Sequence, residues 1–413
     1  MTHSIRVAVC LVALLSTRGA FAQAPDTQND EIAPETTSAP VAHVYINSGT
    51  KILAYSAAPD GKLTSVPGSP FNYNLSGMGA NGHYLFGYEG SGPIIASLSM
   101  ATNGALHKVA TTNPDDFNSN GCPPNFGAGF RIDHSGQDLY NAAIDDDEFC
   151  STSFQSFRID DANGKLTFLG DTGGYFDGGS GLNILGNNEY AYTPECTDFD
   201  APGPHDHPDD NNFHAAIVVY QRSSNGELID SNATTSFPAA PNDSSDPTQP
   251  SPGFYCPSTA ATDPTNHIAM LLQAVDENLA EYYGPPVIAT YTADAHGNLT
   301  TTSTYKNMAV SETGGGGMRM SPSGKLLAVG GSGLEIFHFN GGNPITKYKL
   351  LLSGDGIGQI LWDNDNHMYA LGRDAKGDGK LWVYTVTPTN VAEAPGSPYS
   401  IANAGGMVVQ PLK

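Results

Sequence analysis

The stretch MRMSPSGKLLAVGGSGLEIFHFNGGNPI, residues 318–345, decides the fold of this chain. It predicts three short β-strands separated by tight turns at residues 322–325 and 331–333, with a fourth strand from Ile345. Proline presets the backbone angle of a turn, and glycine supplies the positive φ that such reversals need. Four antiparallel strands cannot bury both faces alone, so the same unit should recur along the chain.

The unit recurs as an apolar residue in the third strand, a glycine in the following turn and a second apolar anchor. In four copies, the second apolar residue lies eight positions after the first, and the glycine lies two positions before the second. These pairs are Tyr55 and Leu63, Leu98 and Leu106, Tyr220 and Leu228, and Tyr291 and Leu299. Three looser copies are Phe157 and Leu166, Phe337 and Ile345, and Tyr384 and Val391. Roughly 40–50 residues per four-stranded unit is typical of a β-propeller. We therefore predict an all-β, seven-bladed β-propeller, the alternative being an antiparallel sandwich with chance turn spacing.

The two ends of the chain predict how the ring closes. Residues 41–47 align with the second strand of the other blades, so blade one lacks an innermost strand. The tail, residues 405–411, resembles the inner strand at residues 317–322. A C-terminal strand paired with blade one would leave no open sheet edge.

The first 22 residues predict a secretory signal peptide, with Arg6, an apolar run over residues 7–15 and an Ala-Phe-Ala site at residues 20–22. Residues 23–40 form a polar, flexible leader and residues 41–413 the propeller. The protein is therefore expected to be exported, to the periplasm or outside the cell. No other segment is long and apolar enough to span a membrane.

The chain is strongly acidic, with 18 Lys and Arg, 42 Asp and Glu, and a formal net charge of −24. This balance argues against nucleic acid and anionic membranes as partners. It favours a soluble protein, which we expect to be a monomer, and a cation or a neutral ligand.

Long inserts fall between the second and third strands of blades three, four and five, at residues 145–150, 196–213 and 276–285. Long links precede the first strands of blades three and five, and both kinds of loop emerge on the same face of a propeller. We call this the decorated face and predict that it binds a ligand or partner. The alternative is that the inserts are solvent-exposed loops without a binding role. The four cysteines outside the signal peptide would lie there, and local disulfides are the favoured pairing: Cys122 with Cys150 and Cys196 with Cys256.

The same inserts predict a possible divalent-cation site. The candidate ligands are carboxylates and imidazoles from two inserts: Asp145, Asp147, Asp198, Asp200, His205 and His207. Carboxylate oxygens suit Ca²⁺ more than Zn²⁺, although the spacing matches no closed ligand motif. An acidic, solvated loop is the alternative, and no other cofactor is indicated.

The innermost strands should line the central channel. They carry Arg131, Asp133 and Arg319, and arginine can hold a carboxylate or polarise a carbonyl. The alternative is that each arginine satisfies neighbouring carboxylates or turn carbonyls. His134, His267 and His367 lie in or beside turns between first and second strands and are expected to be structural.

The Ser-Pro-Ser-Gly-Lys turn at residues 321–325, the apolar third strand followed by Gly-x-Leu and the seven-fold count are similar to those of lactonase-type seven-bladed β-propellers. This family includes propeller-type 6-phosphogluconolactonases and fungal muconate-lactonising enzymes. The resemblance covers residues 41–413. It implies a site at the channel mouth where His, Arg and acidic residues act on a lactone.

Two functions follow as hypotheses. The first is a hydrolase that opens a lactone or sugar lactone, with candidate residues Arg131, Arg319, Glu195, Asp198 and His205. The second is a non-enzymatic binding or scaffold propeller whose decorated face recognises a glycan, peptide or protein. No nucleophile elbow, P-loop or dinucleotide fingerprint supports another enzyme class.

Overall fold

The computed structural model of the protein describes residues 38–90, 92–117, 129–143, 153–172, 181–198, 213–243, 251–276 and 281–412. Nearly all regular structure in these ranges is β-strand, with one short 3₁₀ helix, Pro114–Phe117. Across the same ranges, no helix has the length and apolar character needed to cross a membrane. The predicted signal peptide and most of the predicted leader lie outside the described residues.

The strands form seven antiparallel sheets, which we call blades one to seven in chain order. Blades one and two contain β1 (Ala42–Ser48), β2 (Lys51–Ala57), β3 (Leu63–Ser65), β4 (Leu75–Ala80), β5 (Tyr84–Glu89), β6 (Ile95–Met100) and β7 (Leu106–Thr112). Blades three and four contain β8 (Phe130–Ile132), β9 (Asp138–Ala143), β10 (Ser153–Ile159), β11 (Leu166–Asp171), β12 (Asn183–Ile184), β13 (Tyr190–Asp198), β14 (Phe213–Arg222) and β15 (Leu228–Asp230).

Blades five to seven follow the same plan, with one short additional strand on blade five and another on blade seven. Blade five contains β16 (Gly253–Thr262), β17 (His267–Asp276), β18 (Tyr282–Ala293), β19 (Leu299–Thr300) and β20 (Ala309–Val310). Blades six and seven contain β21 (Gly317–Met320), β22 (Leu326–Gly330), β23 (Gly333–Asn340), β24 (Asn343–Ser353), β25 (Gly356–Trp362), β26 (His367–Arg373), β27 (Gly379–Thr387), β28 (Asn390–Glu393) and β29 (Tyr399–Ser400). The predicted seven-bladed propeller is confirmed.

The ring closes through the C-terminal strand, as the sequence predicts. The last strand, β30 (Ala404–Pro411), pairs antiparallel with β1 and completes the order β3-β2-β1-β30 in blade one. Tyr45 lies opposite Val408, and Ile46 lies opposite Met407. The two ends of the propeller are therefore held in one sheet, and the inner edge of β1 is paired.

The core is divided into layers between neighbouring blades. Second strands contribute fully buried tyrosines, and several of these hydroxyls reach the glycine of the repeated turn in the following blade. The three examples are Tyr45 to the Gly104 carbonyl at 3.1 Å, Tyr140 to Gly226 at 2.9 Å and Tyr192 to Gly297 at 2.8 Å. A polar tip that finds a partner lets a large aromatic side chain be buried without an unsatisfied hydroxyl.

The hairpins between first and second strands are closed by polar side chains. In blade seven, the Asp363 carboxylate accepts hydrogen bonds from the backbone N–H of His367, from its imidazole and from the Tyr369 hydroxyl. In blade five, Asp263 accepts the backbone N–H and the imidazole of His267. These contacts support the structural role expected for the two histidines.

Candidate functional site

The seven inner strands surround a central cavity of about 550 Å³. Every blade contributes to its wall through residues such as Met78, Arg131, Ile184, Thr262, Arg319, Gln359 and Val408. A cavity of several hundred cubic ångströms is the usual size of a small-molecule site. The centre of the ring is therefore a candidate binding site, which we call the channel cavity.

Two arginines lie in the wall of the channel cavity. The Arg131 side chain on β8 donates from Nε to the Leu182 carbonyl oxygen at 3.0 Å, which fixes it against blade four. Arg319 on β21 lies on the cavity wall with an exposed side chain. Within the described residues, neither guanidinium forms an ion pair, whereas Arg158 and Arg222 both pair with Asp138.

The surroundings disfavour charge on both arginines. Burial lowers the pKa of Arg131 to about 10, and the positive charge of Arg319 lowers it further in the same direction. The Arg319 side chain is accessible from the cavity but is surrounded by the ring of blades, and this partial desolvation also lowers its pKa. Both groups remain cationic at neutral pH, so two positive charges with no ion-pair partner among the described residues face one small cavity. An anionic group bound between them would relieve their repulsion and accept their hydrogen bonds.

This local charge is opposite to that of the whole chain. The net charge of −24 favoured a cation or a neutral ligand in the sequence analysis. Among the described residues of the cavity wall, however, the acidic residue is Asp263. Its carboxylate is already hydrogen-bonded to the His267 imidazole, at 3.0 Å, and to the Thr265 hydroxyl. Among the described residues, the channel cavity is thus a positive site in an acidic protein.

His134 also lines the channel cavity, a role that the sequence analysis did not predict. Its Nε2 lies 3.2 Å from the Ile184 carbonyl oxygen, so this nitrogen must carry the proton and donate it. Nδ1 then carries the lone pair and can accept a proton. The residue's backbone N–H is held by the Asn188 side chain at 2.9 Å. No local motif predicts this position, since both contacts come from the next blade.

The other inner-strand and catalytic candidates lie elsewhere. Asp133 is buried and accepts the backbone N–H of Gln137 at 2.8 Å, so its carboxylate closes a hairpin. Glu195 on β13 is buried in blade four and does not line the channel cavity. The strand β13 ends at Asp198, whose side chain lies outside the described part of the structure.

The described part of the structure does not include most of the predicted cation ligands or one of the predicted disulfides. They lie outside the described residues: Asp145, Asp147, Asp200, His205, His207, Cys122 and Cys150. Across the ranges that the structure does describe, no group of three or more His, Cys, Asp or Glu side chains is arranged to hold a metal ion. The Ca²⁺ site and the Cys122–Cys150 bond therefore stay predictions.

The second predicted disulfide is confirmed. Cys196 at the end of β13 is bonded to Cys256 on β16, which joins blades four and five at a Cα–Cα distance of 5.3 Å. A cleft of about 380 Å³ lies beside the bond, between Pro194, Pro257 and the exposed ring of Tyr282. The disulfide therefore fixes the base of the blade-four insert on the decorated face.

A second cavity, of about 500 Å³, lies toward the ends at which the inner strands begin. We call it the vestibule. It shares four side chains with the channel cavity, which are Met78, Arg131, Gln359 and Met407. Arg373, at the end of β26, also lines it. The two cavities are therefore adjacent, with Arg131 at their boundary.

Comparisons with known proteins were made by sequence and by structure. No protein-family model matches the sequence, and no curated protein matches it. A functionally unknown protein from Desulfotomaculum acetoxidans is 12% identical, with 89% of this chain and 98% of that chain covered and a TM-score of 0.54. A protein from Lactobacillus plantarum is 14% identical, with 87% and 98% covered and a TM-score of 0.52.

The periplasmic gluconolactonase of Pseudomonas aeruginosa is also similar, at 11% identity, with 85% of this chain and 81% of that chain covered and a TM-score of 0.45. At such identities, the likenesses to the Desulfotomaculum and Lactobacillus proteins establish the fold alone. The fold-level resemblance predicted from the sequence is thereby supported, and the reaction has to be argued from the residues of the channel.

Proposed function

We propose that this protein is a lactonase-type propeller that binds an anionic lactone in the channel cavity and hydrolyses it. The observation that carries the proposal is the pair Arg131 and Arg319, two cationic side chains that face one cavity without an ion-pair partner among the described residues. A structural arginine is normally paired with carboxylates, as Arg222 is with Asp138. An unpaired pair of guanidinium groups suits a ligand that supplies the missing negative charge.

The chemistry assigned to these residues is ester hydrolysis. His134 accepts a proton at Nδ1 from a water molecule, and the water oxygen bonds to the lactone carbonyl carbon. The carbonyl oxygen becomes an oxyanion, which a guanidinium group stabilises by charge and hydrogen bonds. The ring C–O bond then breaks, the ring oxygen takes the proton from His134, and a hydroxy acid forms. Its carboxylic acid group then loses a proton to solvent at neutral pH.

This assignment keeps part of the catalytic set predicted from the sequence and replaces another part. Arg131 and Arg319 are kept, and His134 is proposed as the general base in place of Glu195. Glu195 was one of three candidates for a base, and the side chains of the other two, Asp198 and His205, lie outside the described part of the structure. Glu195 is buried in blade four, where it contributes to raising the pKa of Tyr220 and does not line the cavity.

Export is part of the proposal. The bond between Cys196 and Cys256 joins two blades, and such bonds persist in oxidising compartments outside the cytosol. The first 22 residues have the sequence of a signal peptide. The substrate would then be a lactone available in the periplasm or outside the cell.

The test is a hydrolysis screen with three classes of lactone: neutral aldonolactones, phosphorylated aldonolactones and lactones that carry a free carboxylate. We expect the last two classes to be hydrolysed above their spontaneous rates. Arg319→Gln should lower kcat/KM by about 100-fold and His134→Gln should lower kcat by about 100-fold. Lys62→Gln, an exposed cation outside both cavities, is the matched control.

Two results would contradict the proposal. One is hydrolysis that the two variants leave unchanged. The other is the absence of hydrolysis of every lactone in the screen, and binding that depends on Arg131 and Arg319 would then favour a non-enzymatic binding propeller.

A further inference from the structure

The vestibule is lined largely by glycine. The seven glycines in its wall come from the inner strands and their neighbours: Gly77, Gly129, Gly356, Gly358, Gly372, Gly405 and Gly406. Glycine in a strand weakens it, because the residue loses more conformational entropy on folding and has no side chain to pack. A concentration of glycine in one wall therefore has to be explained by the space that it leaves.

Packing does not require all of these glycines. A Cβ atom built on Gly358 or on Gly406 would meet no atom within 4 Å, and neither residue has a left-handed backbone. Larger residues would therefore fit at both positions, and their side chains would occupy the vestibule. The space beside Gly358 and Gly406 is open because side chains are absent there.

The opposite end of the channel is built differently. There the turns of neighbouring blades pack directly on one another. A Cβ on Gly186 in blade four would lie 2.0 Å from the backbone of Pro264 in blade five. A Cβ on Gly324 in blade six would lie 2.8 Å from the Pro264 ring. Among the described glycines that line either cavity, Gly358 and Gly406 in the vestibule are the two at which an added Cβ would meet no atom within 4 Å.

Positive charge continues from the channel cavity into the vestibule. Arg373 lines its wall with an exposed side chain, and its guanidinium donates to the Gly377 carbonyl oxygen at 3.1 Å. Arg373 forms no ion pair with a described residue, since the adjacent Asp374 pairs with Lys380. The described lining of the vestibule contains no Asp or Glu. Arg373, Arg131 and Arg319 therefore line two adjacent cavities, with Arg131 common to both.

We propose that the vestibule is an entry subsite for a small oxyanion, a carboxylate or a phosphate group, with Arg373 as its first contact. The anion then reaches Arg131 at the boundary and Arg319 in the channel cavity. This inference rests on the proposed anion site in the channel. In a protein with a net charge of −24, a local run of cations is needed to attract an anion at all. The glycines keep the path open, because any side chain at Gly358 or Gly406 would narrow it.

The experiment uses phenylglyoxal, an arginine-selective reagent, and reads the modification of each arginine by peptide mapping of the folded full-length protein. The double variant Gly358→Leu/Gly406→Leu fills the vestibule. We expect it to slow modification of both Arg131 and Arg319 by about tenfold. Gly92→Leu is the matched control, because a Cβ there also meets no atom within 4 Å and Gly92 lines neither cavity. Arg158, outside both cavities, gives the reference rate in each sample.

Inorganic phosphate tests the role of Arg373. We expect phosphate to protect Arg373 from phenylglyoxal in the native protein, and to protect it still in the Arg319→Gln variant. If the double variant does not fold, Gly358→Ala and Gly406→Ala alone should slow Arg319 modification by smaller steps. Modification of Arg319 at the native rate in the filled, folded variant would overturn the inference, as would unprotected Arg373.

Neither measurement needs a lactone. A protein whose vestibule controls access but which hydrolyses no lactone would contradict only the proposed reaction. Hydrolysis that depends on Arg319 and is unaffected by the filled vestibule would contradict only the entry route.

Discussion

The hydroxyl group of Tyr192 donates a hydrogen bond to the carbonyl oxygen of Gly297, 2.8 Å away. Tyr192 lies in the second strand of blade four, and Gly297 in the turn between the third and fourth strands of blade five. Gly297 has a φ of 80°, and a Cβ atom there would lie 2.5 Å from the ring of Tyr190. The glycine of the repeated signature is therefore required by its backbone conformation and by the neighbouring blade.

Gly297→Ala should lower the free energy of unfolding by about 3 kcal/mol, because left-handed strain and overpacking add at this position. Tyr192→Phe removes the hydrogen bond and should cost about 1 kcal/mol. Gly92→Ala, where the added Cβ meets nothing within 4 Å, should change stability by less than about 0.5 kcal/mol. Denaturant titration gives all three values. Equal losses for the two glycine variants would show that contact with the next blade does not matter.

The same turn explains why the fold could be predicted. Each blade is a local run of hairpins, so its strands and turns are marked by residues close together in sequence, such as Gly297 and Leu299. The arginines of the channel were also found, because an inner strand can be recognised by its place in the repeat. Closure by β30 followed from counting the strands of blade one.

The rest of the site depends on contacts between blades, which no local pattern reports. His134 faces the channel cavity because the Ile184 carbonyl of the next blade holds its ring. The vestibule exists because the inner strands of blades one, two, three and seven have glycine near their starts. Glu195 could have been excluded from the sequence, because it lies on the second strand of its blade, whereas the inner strands line the channel.

Ring closure has a specific side-chain contact beside the channel. The Gln359 amide donates from Nε2 to the Met407 carbonyl oxygen at 2.8 Å and accepts the Met407 N–H at 2.6 Å. It therefore ties the inner strand of blade seven to β30. Deletion of residues 405–413 removes this contact and the inner strand of blade one, and should lower the melting temperature by more than 10 °C. Gln359→Ala should cost about 2 kcal/mol, whereas the exposed Gln221→Ala should be neutral within about 0.5 kcal/mol. A truncated chain that melts like the native protein would contradict the closure.

His367 should make stability depend on pH. Burial lowers the pKa of His367, but the hydrogen bond and charge of Asp363 outweigh it, and the net pKa is raised. Asp365 and the Pro59 carbonyl act in the same direction. Because the folded-state pKa is the higher one, this stabilisation is complete below about pH 6.5 and is lost as the pH rises through the raised pKa. The difference in unfolding free energy between the native protein and His367→Gln should therefore shrink as the pH rises above about 6.5. A difference that is constant with pH would assign the effect to packing.

The bond between Cys196 and Cys256 spans 60 residues of sequence. Closing a loop of that length in the unfolded chain is worth about 4 kcal/mol by the chain-entropy argument. The double variant Cys196→Ala/Cys256→Ala should therefore melt at a lower temperature than the oxidised native protein. Reductant should lower the melting temperature of the native protein and should affect the variant less. Peptide mapping without reductant should recover the Cys196–Cys256 peptide, and two free thiols at these positions would contradict the assignment.

The pair Arg131 and Arg319 should destabilise the folded state, because the two side chains repel each other and are partly withdrawn from water. Arg319→Gln should raise the free energy of unfolding by about 1 kcal/mol in a buffer without multivalent anions. Arg222→Gln is the contrasting control. Arg222 pairs with the buried Asp138, and its loss should cost about 3 kcal/mol.

Added inorganic phosphate completes this last prediction. A ligand that binds only the folded state raises the melting temperature, so phosphate should stabilise the native protein. It should stabilise Arg222→Gln, in which the channel is intact, to the same extent, and should stabilise Arg319→Gln less, because that variant keeps only the contacts with Arg131 and Arg373. A loss of stability in Arg319→Gln without phosphate would show that its guanidinium is satisfied within the protein. The case for an anion in the channel would then lose its main support.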